Sequence, residues 1–190
     1  MAIEIERKFK ADPATLAAVH REILGGEGAV IAMETTYYDT PDKALSQKFY
    51  TLRCRKENDR SVCTLKTPAK DGRNEYEVVA NSIEEALPEL CKLSGETLPT
   101  DIIPICGAKF TRIAQSFPFI TATVEMALDQ GKLYGGGQEI DLCEIEVELI
   151  KGSPLYLDLY AMKLSEKYDL QPEKRSKFRR ALALAEGETK

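Results

Sequence analysis

Strict alternation of charged and apolar residues is the feature that most constrains this chain. Near its start Ile3, Ile5, Arg7 and Phe9 alternate with Glu4, Glu6, Lys8 and Lys10, a period of two that predicts a β-strand over 2–10 with one charged face. The pattern returns late in the chain, where Glu144, Glu146 and Glu148 alternate with Cys143, Ile145, Val147 and Leu149. Between these runs Arg53 and Arg55 share a face against Leu52 and Cys54, and Thr64 and Lys66 against Cys63 and Leu65. Arg73, Glu75 and Glu77 form a further charged set, and Glu125 stands with Thr123 and Ala127. Successive side chains of a strand point to opposite faces. One whole face of the sheet is therefore expected to be ionic and the other greasy.

Antiparallel sheets commonly leave one face solvated, but two features point elsewhere. The signs are segregated by strand, with acids on the first and last and bases on the second and third charged strands. Glu144, Glu146 and Glu148 also stand about 6.6–6.8 Å apart with no intervening base. A solvated face would mix signs, because opposite charges across strands stabilise and like charges repel. Rows of carboxylates need a cation, and oxygen donors without His or Cys suit a hard divalent ion, Mg²⁺ or Mn²⁺. Arg53, Arg55, Lys66 and Arg73 offer forks and point charges for phosphate oxygens. A metal-bound polyphosphate satisfies both sets. The greasy face must then be covered by helices, which turns the ionic face inward; closing such a sheet into a barrel gives a charged tunnel.

The remaining elements fit an α+β chain. Asp12-Pro13 predicts a capped helix through Leu24, ended by Gly25-Gly26. Strands are expected at about 29–38, 48–57, 60–67 and 74–80, the second and third joined by a turn at Asn58-Asp59. Ser82 and Glu85 form a capping box for a helix to about Leu93, and 95–107 reads as a loop carrying Pro99 and Pro104. Strands follow at about 108–116, 119–129, 132–134 and 138–150, with Gly135-Gly136-Gly137 as a turn rather than a phosphate loop, since a strand follows it. Helices are expected after Pro154, with Leu155, Leu159 and Met162 as their core, and after Pro172; Lys174-Arg175 and Arg179-Arg180 read as a solvated helix face.

Composition excludes several classes. The 190 residues carry a net charge of −5, which argues against a general nucleic-acid or membrane-surface binder. No apolar run approaches the roughly 20 residues that span a bilayer, and the start has no h-region, so a cytoplasmic location is expected. The five cysteines have no C-x-x-C pair and fit neither a disulfide framework nor a zinc cluster; they read as small buried hydrophobes. The single histidine, His20, reads as a surface residue and makes a His-based metal site or triad untenable.

The ordered motifs resemble one family. Glu4-Ile5-Glu6-Arg7-Lys8 has the form E-x-E-x-K, followed by Tyr37-Tyr38-Asp39-Thr40-Pro41, Leu52-Arg53-Cys54-Arg55, Thr64-Leu65-Lys66 and Arg73-Asn74-Glu75-Tyr76-Glu77. Then come Arg112, the run Glu125–Gly131, Glu144-Ile145-Glu146-Val147-Glu148-Leu149 and Ser176-Lys177. Together they resemble the CYTH domain, or triphosphate tunnel metalloenzyme, superfamily, and within it the bacterial inorganic triphosphatases. The resemblance implies a single domain over 1–190, an antiparallel closed β-barrel of about eight strands with helices packed outside, and a tunnel for triphosphate and divalent metal. It implies Glu4, Glu6, Glu144, Glu146 and Glu148 as metal-facing acids, extended by Glu75 and Glu77, and Lys8, Arg53, Arg55, Lys66, Arg73, Arg112 and Lys177 as phosphate-binding bases. Tyr37 and Lys66 resemble a pair that helps activate water. Lys109, three residues before Arg112, departs from a pattern that places a base two before it, and is left out. The expected partner is a small triphosphate, without nucleic acid or membrane; the resemblance also admits a homodimer.

The implied activity is metal-dependent hydrolysis of a triphosphate, foremost inorganic tripolyphosphate to pyrophosphate and phosphate. Thiamine triphosphatase and class IV-type adenylate cyclase are alternatives on the same scaffold, and a non-catalytic polyphosphate-binding module is the alternative without turnover.

Overall fold

The computed structural model describes residues 4–70 and 72–187; Ile3, expected in the first strand, lies outside them. Along the chain run β1 (Glu6–Lys10), α1 (Pro13–Glu22), β2 (Ala29–Asp39), α2 (Ala44–Gln47), β3 (Thr51–Glu57), β4 (Arg60–Ala69) and β5 (Gly72–Val79). Then follow α3 (Ile83–Ser94), β6 (Ile103–Phe119), β7 (Ala122–Gly135), β8 (Gln138–Lys151), α4 (Pro154–Tyr168), β9 (Gln171–Pro172) and α5 (Lys177–Ala185). The capping chemistry works as the sequence predicts. Asp12 accepts the Thr15 N–H at 2.7 Å, and Ser82 accepts that of Glu85 at 3.4 Å. The Glu85 carboxylate in turn accepts the Asn81 N–H at 3.0 Å.

The strands form one antiparallel sheet in the order β5-β4-β3-β2-β6-β7-β8-β1-β9. Two features differ from the expected elements. Among the described residues the sheet has nine strands, the ninth a two-residue edge, and β5 and β9 are not paired with each other, so closure into a barrel is not part of the ladder hydrogen bonding. It curls enough for Lys66 on β4 to reach Glu4, just before β1, at 2.5 Å, so a side-chain ion pair spans the gap that ladder hydrogen bonds leave. Secondly, the 108–116 and 119–129 strands are longer than predicted. Ile103 and Pro104 already pair with Asp39 and Tyr38, on the far side of a bulge at Tyr37/Tyr38. Gly131 runs within β7, with its α-carbon so near the β6 backbone that an added Cβ would stand 2.3 Å from the Lys109 carbonyl oxygen.

Parity holds strand by strand. On the convex side Val124, Met126, Leu128, Ile145 and Val147 pack with Leu16 and Val19 of α1 and Leu157, Ala161 and Leu164 of α4. Leu52, Cys63 and Leu65 pack with Ile83, Ala86 and Leu90 of α3. The third cluster is different. Met33, Tyr37, Phe110, Leu133 and Leu142 share the concave face with the ionic residues and bury Phe178, Ala181, Leu182 and Leu184 of α5. The concave face is thus part ionic and part apolar, and α5 sits inside the curl rather than outside it. Gly135 permits this approach, since an added Cβ would lie 2.4 Å from the Ala181 carbonyl oxygen. The glycine run is therefore a turn, with Gly136 and Gly137 at φ of 58° and 75°, and also the seat of a helix.

The cysteine reading is also corrected. Cys54 and Cys63 stand opposite each other across β3 and β4, with Cα atoms 4.0 Å apart, and form a disulfide. The two-residue turn at Asn58-Asp59 brings them into register, which their spacing alone does not reveal. Cys91, Cys106 and Cys143 are free thiols. Among the described residues no helix is long and apolar enough to cross a membrane.

Candidate functional site

A cavity of about 760 Å³ opens on the concave face. Its lining gathers side chains from opposite arms of the sheet: Glu4, Glu6 and Lys8 from the first strand region, Arg53 and Arg55 from β3, Lys66 from β4. Tyr37, Arg73, Arg112, Glu146 and Lys177 complete the predicted members that line it. Alternation explains the convergence. Every one of these strand residues has the inward parity, and curling the sheet brings inward-pointing positions of distant strands together.

The bases stand close and in part uncompensated. Arg55 donates to Thr35 Oγ1 at 3.1 Å. Burial, with the Arg53 charge beside it, pulls its guanidinium down to about 10. Arg53 reaches Glu75 at 3.5 Å and keeps a buried Nε without a partner among the described residues. Lys66 bridges Glu4 at 2.5 Å and Glu75 at 3.1 Å. Arg73 is aimed by Thr51 Oγ1 and the Phe49 carbonyl, at 3.3 and 3.0 Å. Tyr37 is buried against Phe178, ring centroids 5.0 Å apart. Among the described residues no hydrogen bond joins it to Lys66.

The acids divide into two groups. At the α5 end, Asp129, Glu144 and Glu146 bring carboxylate oxygens within 4.8 Å of one another. The Lys177 ammonium sits among them at 2.8, 2.6 and 2.7 Å. Arg112 grips Asp129 with two bonds of 2.7 Å and also donates to Glu146, while Arg180 donates to Glu144. Burial alone would drive Lys177 toward its neutral form, but Glu146, Asp129 and Glu144 overcome it and hold the ammonium up. Glu146 is likewise held far down against its burial by Lys177 and Arg112.

At the β1 end the balance is reversed. Glu6 pairs in register with Glu148, and Glu148 with Glu125, so three carboxylates stand abreast on adjacent strands. Lys8 pairs with Glu6 at 2.9 Å, and among the described residues Glu125 accepts only the Ser116 hydroxyl, at 3.0 Å. Burial, together with Glu4, Glu125 and Glu6, pushes Glu148 up to about 7. Burial and Glu146 raise Glu6 as well. Like charges in direct cross-strand opposition are destabilising unless a cation joins them. This donor set, all carboxylate oxygen and short of positive charge, fits a hard divalent ion.

Against the sequence reading, the structure brings Glu4, Glu6, Glu146 and Glu148 into one acidic run but gives Glu144 to Lys177 and Arg180. Glu75 faces inward and is taken by Lys66 and Arg53, and Glu77 is exposed beside the Thr64 hydroxyl. Glu75 thus shares Lys66 with Glu4, whereas Glu77 does not line the cavity. Lys109 is exposed and pairs with Glu34, as its parity predicts. Arg180 is buried rather than solvated, because α5 turns that face onto Glu144. Asp129 was missed, although it has the parity of Glu125 and Ala127 on one strand.

Comparison with known proteins agrees with this architecture. The CYTH domain family matches residues 2–182. An inorganic triphosphatase of Haemophilus influenzae is 36% identical over 128 residues, which cover 62% of this chain and 36% of that protein. The chain thus spans about a third of that relative's length. An adenylate cyclase candidate from Bacillus halodurans has a TM-score of 0.67 at 20% identity, covering 94% of this chain and 96% of that one. A Hippeastrum adenylyl cyclase candidate, described as revealing a dominant triphosphatase activity, has a TM-score of 0.64 at 18% identity, covering 97% and 96%. At such identities the two structures speak for the fold alone. With the family matched over nearly the whole chain and the curled sheet, inward bases and acidic run all in place, the chain belongs to the CYTH domain family.

Proposed function

We propose that this chain is a divalent-metal-dependent triphosphatase that hydrolyses inorganic tripolyphosphate to pyrophosphate and phosphate. The observation that carries the reading is the meeting, in one cavity, of Glu4, Glu6 and Glu146 with inward-facing bases that outnumber the acids of the lining. The 36% identity to an inorganic triphosphatase supports it. In this reading residues 1–190 act as one domain, and the open sheet wraps toward a closed tunnel around a linear anion.

The roles follow from position. Glu4, Glu6 and Glu148, with Glu146 shared, would hold the ion, Mg²⁺ or Mn²⁺. When bound it supplies Lewis-acid charge at phosphoryl oxygens. Arg53, Arg55, Lys66, Arg73 and Arg112 bind the substrate's oxygens and neutralise the charge that grows on the leaving pyrophosphate, and Lys8 does so beside Glu6. Water attacks the terminal phosphorus in line, the bridging P–O bond breaks, and pyrophosphate leaves with the bonding pair. Lys66 is engaged by Glu4 and Glu75, so its part is to position charge, and Tyr37 shapes the wall against Phe178. Lys177 holds the acids of the α5 end and fixes the floor of the cavity.

Phosphate release from tripolyphosphate, ATP and thiamine triphosphate, each with Mg²⁺, Mn²⁺ or EDTA, tests this. EDTA-sensitive release from tripolyphosphate above the other two is expected. Cyclic AMP and pyrophosphate from ATP would replace the reading with a cyclase, and binding without any turnover would leave a polyphosphate-binding module.

A further inference from the structure

The strand arginines that line the cavity are held in two ways. Arg112 is gripped by Asp129 and Glu146, and Arg53 reaches Glu75 at 3.5 Å. Arg55 and Arg73 are held instead by neutral oxygens. Arg73 donates to the Thr51 hydroxyl and the Phe49 carbonyl, and Arg55 donates through Nε to the Thr35 hydroxyl at 3.1 Å.

The difference bears on charge. A carboxylate that orients a guanidinium also neutralises it, whereas a hydroxyl orients it and leaves the positive charge for another anion. Among the described residues the one acid in ion-pair range of Arg55 is Glu57, 4.0 Å from Nη1. The Arg55 side chain is nevertheless only 12% exposed. A buried charge without a close counter-charge is costly, and burial with the Arg53 charge beside it draws this guanidinium down. A guanidinium carries its N–H donors in one plane as a rigid fork. With Nε engaged by Thr35, those on Nη1 and Nη2 stay available to phosphate oxygens.

Thr35 is itself firmly placed. It is fully buried on β2, directly opposite Arg55 in the β2–β3 register. Branching at Cβ restricts its χ1. Its backbone is pinned from the other face of the sheet, where the Tyr134 hydroxyl donates to the Thr35 carbonyl at 3.3 Å. Tyr134 reaches it by lying across Gly107, where an added Cβ would stand 2.3 Å from that hydroxyl and 2.5 Å from the Thr35 carbonyl oxygen. A threonine held from one face of the sheet thus aims an arginine on the other.

We infer that Thr35 is a positioning residue for anion binding: its hydroxyl fixes the Arg55 guanidinium so that the Nη groups meet the substrate's phosphate oxygens, and leaves the charge undiminished. Thr35 is not part of the cavity lining, whereas Arg55 is, so it acts through Arg55. Without the hydroxyl, Arg55 turns toward Glu57 and its charge is lost to the substrate. The inference rests on the triphosphatase reading for the identity of the anion.

Calorimetric titration of tripolyphosphate in EDTA reads anion affinity apart from turnover. The parent is compared with T35V, T35A, T35S, R55Q and the double variants T35V/R55Q and T35A/R55Q, each first checked for a cooperative melting transition. A hydrogen bond to a charged group is worth about tenfold, so Thr35→Val and Thr35→Ala should each lose about tenfold in affinity. Valine keeps the branched shape of threonine, and alanine closes the same cycle should the valine variant not fold. Thr35→Ser keeps the hydroxyl and should keep the parent's affinity. The double variants should bind no more weakly than Arg55→Gln alone, because a residue that acts through Arg55 then has nothing left to position. Losses that multiply in the double variants would overturn the inference, as would parent-like affinity in Thr35→Val or Thr35→Ala. Thr35→Ser binding as weakly as Thr35→Val, or a parent that does not bind at all, would overturn it too. Phosphate release is scored separately: binding without release sinks the hydrolase reading, and the titrations still decide Thr35.

Discussion

At the α5 end of the cavity, Asp129, Glu144 and Glu146 share one lysine at 2.6–2.8 Å, and two arginines close on the same carboxylates. At the β1 end, Glu6, Glu148 and Glu125 stand abreast, with Lys8 as their one ion-pair partner among the described residues. The two groups share a sheet and a residue type, and Glu144, Glu146 and Glu148 even share a strand. Their difference lies in which cation arrives. One group is completed by the chain itself, through a helix folded into the curl. The other has fewer basic partners among the described residues, and in the proposed function an external ion would complete it. Acidity alone therefore does not identify a metal site; a carboxylate cluster already holding an ammonium is part of the scaffold.

The largest expected break in this comparison is Lys177→Met. Removing one partner of a buried ion-pair network typically costs about 3–5 kcal/mol, so urea unfolding should show a loss of that size. An unchanged midpoint would mean that the acids of the α5 end do not depend on their lysine. Next comes the external ion. Mg²⁺ at a hundred times its dissociation constant should stabilise the parent by about 2.7 kcal/mol, read as a rise in melting temperature that EDTA removes. Glu148→Gln should abolish most of that rise. In EDTA the same variant should match the parent or gain up to about 1 kcal/mol, because it relieves cross-strand repulsion; a clear loss would show that Glu148 is structural. The smallest effect is expected at Lys109→Ala on the exposed side, within about 0.5 kcal/mol and with unchanged phosphate release.

Much of this was legible in the sequence because strand parity is binary. Once Glu4, Arg53, Lys66 and Glu146 were assigned to faces, a curled sheet had to bring them together. Asp129 was legible too, by the same parity, but it closes a run whose preceding inward residue is Ala127, so no charged row announced it. The placement of α5 was not legible. Its apolar spacing shows a helix without saying which side of the sheet it covers, and Arg179-Arg180 looks solvated until Arg180 meets Glu144. The disulfide lay between: the Asn58-Asp59 turn sets Cys54 opposite Cys63, but the register follows only once the turn's length is fixed.

The pairing of β1 with β8 also bears on how the chain leaves the ribosome. Lys10 pairs with Glu144, so the first strand waits for more than a hundred further residues. At about 5–20 residues per second the wait lasts roughly 7–27 seconds. An unpaired strand is a template for aggregation, and charged side chains along it are a defence. Glu4, Glu6, Lys8 and Lys10 give the nascent strand that defence on one face. The charges that later line the cavity thus first keep its opening strand solvated until its neighbour has been made.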